Sequence, residues 1–177
     1  MCIIVRGVVS NQGQRPIVST VPKTRGAILA ALPCKLTYMI KPDDSLPPWP
    51  YPRWVAHRGA GALAPENTLA ALRVGATYGY RMFECDVKIS ADGIPFLMHD
   101  TSLERSTNAR ALFGPDASVV GGDHPWGQLS QLDAGSWHSR TFAGEPLATL
   151  HAVAAFCQHN AYLLNIEIKP TPGDEFR

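Results

Sequence analysis

The chain has 177 residues, 45% of them hydrophobic, and its 16 basic and 15 acidic residues leave a formal net charge of +1. That is enough chain for one domain with a sizeable core. It excludes any overall pull toward nucleic acid or an anionic membrane surface, and no stretch reaches the roughly 20 apolar residues of a membrane span. An anionic ligand must therefore be held by a local site. Cys2, Cys34, Cys85 and Cys157 stand far apart with no CxxC pair. This argues against a zinc ribbon or a dense disulfide framework and suits a reducing cytoplasm. The nearest approach to a signal peptide, Gly26 to Pro33, is short, interrupted by Pro33 and followed by Lys35, so the expected location is cytoplasmic.

Residues 1–48 carry prolines at positions 16, 22, 33, 42, 47 and 48 and no sustained helical or alternating pattern. Val8-Val9 and Ile17-Val18 are short candidate strands without an evident partner, and the segment reads as a poorly ordered extension. From Leu46 to Arg53 the prolines hold the chain extended. Trp54-Val55-Ala56 is then a first apolar run that stops at His57-Arg58-Gly59. Pro65-Glu66-Asn67-Thr68 reads as a helix start, with Asn67 or Thr68 as the side-chain cap. Leu69, Leu72 and Ala76 form its inward face, and Gly79 closes it.

Met82 to Val87 reads as a second strand, and Ile94 to Met98 as a third beyond the Asp92-Gly93 turn. Thr101 to about Pro146 looks irregular and is too long for an ordinary connection, which makes it a functional excursion. Thr149 caps a second helix whose Leu150, Val153, Ala154 and Cys157 share a face. Ala161 to Ile168 is the fourth strand. Nearly continuous apolar strands alternating with helices predict an α/β fold with a parallel sheet, its polar residues gathered at the carboxyl ends of the strands.

Those polar residues form a chemical set. Glu84 and Asp86 are two apart on one strand, so both side chains share a face and can share a hard cation, with Glu167 as a third oxygen ligand. Oxygen-only ligation favours Mg²⁺ or Ca²⁺ over zinc. The bland alternative pairs these acids with Lys88, Arg58 or Lys169. His57 and His99 are acid/base candidates, because imidazole titrates near neutrality. Arg58 offers a planar fork and Lys169 a point charge for a phosphate. His124, His138, His151 and His159 are read as incidental, and Asn67 as equally fit to be a helix cap.

The ordered series Val55-Ala56-His57-Arg58-Gly59, Pro65-Glu66-Asn67-Thr68, Glu84-Cys85-Asp86-Val87, Asp92-Gly93, Leu97-Met98-His99-Asp100, Asp133-Ala134-Gly135-Ser136-Trp137 and Asn165-Ile166-Glu167-Ile168-Lys169 resembles the glycerophosphodiester phosphodiesterases. The cytosolic bacterial type linked to glycerol-phosphate uptake is the nearest in kind. The resemblance runs from about Trp49 to the end. It implies a (β/α)₈ TIM barrel, of which residues 49–177 would be the N-terminal half, about four strands, behind a non-family extension of residues 1–48. Such barrels run from about 200 residues upward. It further implies hydrolysis of small-molecule glycerophosphodiesters to glycerol 3-phosphate and an alcohol. One Mg²⁺ or Ca²⁺ would sit on Glu84, Asp86 and Glu167.

On the same resemblance His57 accepts a proton and His99 donates one, Arg58 and Lys169 bind the phosphate, and Glu66 and Asn67 support them. Ser106-Thr107-Asn108 is followed by Ala109 where the family has glycine, in a loop of the cap that meets the glycerol end. Half a barrel leaves two open sheet edges. Self-association and a catalytically inactive fragment are therefore readings beside the enzyme, and a phospholipase D-like relative of similar barrel type is a further one.

Overall fold

The computed structural model describes residues 2–6 and 49–170. Its strands are β1 (Cys2–Arg6), β2 (Met82–Ile89), β3 (Pro95–Leu97) and β4 (Leu163–Ile168). Its α-helices are α1 (Leu69–Thr77), α2 (Ala109–Phe113), α3 (Trp126–Leu129) and α4 (Leu150–His159). The four strands form one sheet in the order β1-β4-β2-β3. The candidate strands at Val8-Val9 and Ile17-Val18, the Gly26 to Pro33 run, and the segment after Pro170 lie outside the described residues.

Helix α1 begins where the capping chemistry dictates. The Thr68 side chain accepts the Ala71 N–H, and Gly79, with φ of +87°, follows the last turn. Thr149 caps α4 in the same way through Ala152 N–H. Phe83, Cys85 and Val87 of β2 and Leu164 and Ile166 of β4 face these helices, joining Leu72, Val153 and Cys157 in one buried cluster. Leu72 and Phe83 are fully buried, each contributing about 2 kcal/mol of burial energy. Strand alternation then places Glu84, Asp86, Lys88, Asn165 and Glu167 together on the opposite face.

Two expectations of the strand reading are corrected. The sheet is mixed: β2 and β4 pair in parallel, but β3 is antiparallel to β2 and β1 antiparallel to β4. The short turn through Asp92-Gly93 permits only a hairpin, since a parallel return needs a dozen residues or more. The Trp54 to Ala56 run contributes a single bridge, Ala56 to Phe83 in parallel, on the β2 edge that β3 takes further along. Trp54 itself points to solvent.

The excursion is also more regular than its composition suggested. It holds α2, α3 and two short 3₁₀ turns. Phe96, Met98, Leu103, Ala109, Leu129, Leu132, Ala134 and Leu147 form a second buried cluster under it. It is a packed lobe beside the sheet.

Gly75 shows how tightly α1 seats against the loop that carries His57. A Cβ there would lie 2.5 Å from the Gly59 carbonyl oxygen and 2.9 Å from the Phe83 ring. Gly75→Ala is therefore expected to destabilise by about 2 kcal/mol, against the roughly 1 kcal/mol that helix propensity alone would add. A lowered urea midpoint at unchanged m-value checks this.

Candidate active site

The parallel register sets Asp86 beside Glu167 and Glu84 beside Asn165. Carboxylate oxygens of Glu84, Asp86 and Glu167 lie within 4.8 Å of one another, and Glu84 and Asp86 are buried. Glu84 Oε2 accepts the Arg58 backbone N–H at 2.8 Å, but its Oε1 is buried and has no hydrogen-bond partner among the described residues. Burial, with Asp86 and Glu167 close by, pushes the Glu84 carboxyl up. A buried acceptor with nothing donating to it, in a cluster of three acids, fits a hard cation with oxygen ligands.

The basic residues answer part of that charge. Lys169 Nζ lies 2.8 Å from Glu167 Oε1 and 3.7 Å from Asp86 Oδ1. Its hydrogen bond and charge hold Glu167 below the usual carboxylate range. Arg58 Nε is 3.5 Å from Asp86 Oδ2 and Nη1 is 2.9 Å from Glu66 Oε1. The ion-pair alternative thus holds for Asp86 and Glu167, and it leaves Glu84 Oε1 unanswered.

His57 is exposed, its Nε2 3.9 Å from Glu84 Oε2, so it is not a core histidine. His99 is about one-third exposed, and its Nδ1 lies 2.7 Å from Asp100 Oδ1. Asn67 is not the cap: Thr68 takes that role. Instead Asn67 is buried, donates Nδ2–H to Asp86 Oδ2 at 2.9 Å and accepts the Asp86 N–H on Oδ1 at 3.0 Å. Arg58 and Asn67 both hold left-handed backbone, φ +51° and +59°. These two turns aim an amide at Glu84 and an amide side chain at Asp86.

The sequence model of the glycerophosphoryl diester phosphodiesterase family matches residues 57–175. The chain belongs to the glycerophosphodiester phosphodiesterase family. A human glycerophosphoinositol inositolphosphodiesterase is 46% identical over 123 residues, covering 68% of this chain and 22% of the relative. A phosphodiesterase of Oleispira antarctica, solved in complex with the product sn-glycerol-3-phosphate, matches with 38% identity and a TM-score of 0.59, over 67% of this chain and 45% of that one. A glycerophosphodiester phosphodiesterase of Agrobacterium tumefaciens matches with 32% identity and a TM-score of 0.55, over 66% and 46% of the two chains. The chain thus spans less than half the length of these relatives, and its open sheet is part of a barrel.

Within this family frame the structure adds residues that pattern reading missed. Asp100 takes the hydrogen bond of His99 Nδ1. Arg105 donates through Nη2 and Nη1 to Glu66 at 2.6 and 3.1 Å, through Nε to Asp100, and lies over the Trp137 ring at 5.7 Å. Burial works to raise the Glu66 carboxyl, but Arg105 and Arg58 outweigh it and hold it low. The Arg105 hydrogen bond brings Asp100 down to about 2. Asn165 presents a buried Oδ1 without a partner among the described residues. In Leu-Glu-Arg-Ser-Thr nothing distinguishes Arg105 from any loop cation; its partners lie 39 and 5 residues away.

His124, one of the four set-aside histidines, is buried in the lobe, its Nε2 donating to the Ser118 carbonyl at 2.8 Å and its ring stacked on Phe113. No described helix is long and apolar enough to cross a membrane.

Proposed function

We propose that this chain carries the catalytic residues of a metal-dependent glycerophosphodiester phosphodiesterase, releasing glycerol 3-phosphate and an alcohol. The observation that carries the reading is the three-carboxylate cluster with its unpartnered Glu84 oxygen, flanked by His57, His99, Arg58 and Lys169. A divalent cation, Mg²⁺ or Ca²⁺, held by Glu84, Asp86 and Glu167 would supply charge neutralisation and polarise phosphate oxygen. Exposed His57 accepts the proton of the attacking group, a glycerol hydroxyl next to the phosphate or a water, and Glu84 stands by the imidazolium that results. His99, its Nδ1 turned to Asp100, has Nε2 left to protonate the departing alkoxide. Arg58 and Lys169 add positive charge where the transition state gains negative charge. Glu66 and Asn67 hold Arg58 and Asp86 in place.

In this reading residues 49–177 are the front part of the barrel and residues 1–48 a non-family extension. The substrate is a small molecule, and the cysteine usage supports a cytoplasmic setting. The coverage favours a second reading: site residues present in a fragment that does not turn over unless the barrel is completed, by self-association or by further chain.

Glycerol 3-phosphate release from glycerophosphocholine, with Mg²⁺ or Ca²⁺ and with chelator, tests the reading. His57→Ala is expected to lower turnover by about 10³-fold, in the range of a lost general base. Equal turnover in wild type and variant would remove His57 from the chemistry; no turnover in either would favour the fragment.

A further inference from the structure

We infer that Arg105 is a positioning residue that holds His99, through Asp100, in the orientation needed to protonate the departing alcohol. The inference deepens the phosphodiesterase reading and rests on it for the role of His99. Asp100 uses one oxygen for His99 Nδ1, at 2.7 Å, and the other for Arg105 Nε. An ionised carboxylate only accepts, so Nδ1 carries the hydrogen and Nε2 is the nitrogen left for substrate. Side chains of Asp100 and His99 are each about 30% exposed. A pair that open to water is worth little alone and does not hold one geometry.

Arg105 supplies the missing constraint. Its fork grips both oxygens of Glu66, at 2.6 and 3.1 Å. Glu66 is itself only 11% exposed and is held from the other side by Arg58 at 2.9 Å. Trp137 lies under the guanidinium, and the Trp137 indole N–H is fixed on the Ala134 carbonyl at 2.8 Å. Arg105 thus joins three loops: the one bearing Arg58 and Glu66, the one bearing His99 and Asp100, and the Trp137 turn of the lobe. The Asp100 carboxylate, gripped at both oxygens, has one orientation, and His99 takes its orientation from it. A planar fork does this and an ammonium does not.

A structural cross-link and a positioning residue differ in what they do to the leaving group. p-Nitrophenolate departs without a proton, whereas choline or ethanolamine alkoxide needs one. Arg105→Gln is therefore expected to slow kcat on glycerophosphocholine by about 100-fold, the size of a small misplacement of a reacting group. On the p-nitrophenyl diester of glycerol phosphate the loss should stay below about threefold, since no acid is required. Arg105→Lys should fall between, and in an Asp100→Asn background Arg105→Gln should add little.

A second measurement does not need turnover. Nitrogen-15 histidine spectra of the full chain should show His99 protonated at Nδ1 in wild type and a mixture of tautomers in Arg105→Gln, with Arg105→Lys monitoring a variant that keeps the charge. Equal losses on both substrates, or an unchanged His99 spectrum in Arg105→Gln, would overturn the inference. If wild type is inactive on every diester, the phosphodiesterase reading fails for this chain alone, and the spectra still decide the hold of Arg105 on His99.

Discussion

Replacing Glu84 by glutamine is expected to stabilise the cation-free protein while removing both its stabilisation by Mg²⁺ or Ca²⁺ and its turnover. Three carboxylates reach within 4.8 Å of one another, and the Glu84 carboxyl is pushed up by burial and by Asp86 and Glu167. A folded-state value above the unfolded one means that the folded chain holds the Glu84 proton more tightly. Stability from this group is then greatest below the unfolded value, near 4.3, and declines as pH rises toward the raised folded value. Once pH has risen through that folded value, the wild type without cation has lost it.

In Glu84→Gln the new side chain keeps an oxygen for the Arg58 N–H and places an NH₂ where Oε1 has no donor, with Asp86 beside it as an acceptor. The cation-free variant should melt a few degrees above wild type at pH 7, since about 1 kcal/mol moves the midpoint of a chain this size by roughly 2–4 °C. Cation at about 100 times its dissociation constant should add about 2.7 kcal/mol to wild type and little to the variant. Turnover should fall by at least about 10³-fold, as when a group stabilising transition-state charge is removed. Melting curves with chelator, Mg²⁺ and Ca²⁺ between pH 5 and 8 read out every part. A wild type indifferent to both cations, with a variant that still turns over, would end the metal assignment.

The three-carboxylate cluster was legible because a strand has a period of two. Glu84 and Asp86 had to share a face, Cys85 between them had to turn to the helices, and the structure places Cys85 with Phe83 and Val87 in the core. The same logic reached Glu167 on β4 and Lys169 one residue past its end. The cap of α4 was equally plain at Thr149, whereas for α1 the sequence left Asn67 and Thr68 open and the structure takes Thr68.

Direction and partnership were harder. Strand periodicity is the same for parallel and antiparallel pairs, so the direction of β3 rests on the length of the turn before it and not on its own residues. The lobe over residues 101–146 builds its core from single apolar residues such as Leu103, Leu129 and Leu132, spaced by no regular period. Arg105 was invisible because its meaning lies in Glu66 and Asp100, which only folding brings to it. Cys2–Arg6 pairs with β4 along its whole length, a partnership that proline-rich surroundings gave no sign of.

Asn67 is where a cap reading and a site reading differ most in consequence, and Asn67→Ala should cost about 4 kcal/mol. As a mere cap its loss would cost about 1 kcal/mol. The structure gives it more to do. It donates to the buried Asp86 carboxylate at 2.9 Å and accepts the Asp86 N–H at 3.0 Å, while its own N–H goes to the Arg58 carbonyl at 3.0 Å. Alanine abandons a buried amide and one bond to a carboxylate, each worth about 1–3 kcal/mol.

Alanine must also hold φ near +59°, where asparagine is at ease and a β-carbon with no polar compensation costs about 1 kcal/mol. Asn67→Gly separates the two contributions, since it relieves the backbone and still loses both side-chain bonds. It should sit about 1 kcal/mol above the alanine variant and well below wild type. Urea titrations of the three proteins measure this order directly, and a midpoint drop on the order of 10 °C should accompany Asn67→Ala. Asn67→Ala within about 1 kcal/mol of wild type would return Asn67 to the role of an ordinary cap. The predicted order instead makes it the residue that keeps a buried carboxylate bonded and aimed on the sheet's polar face.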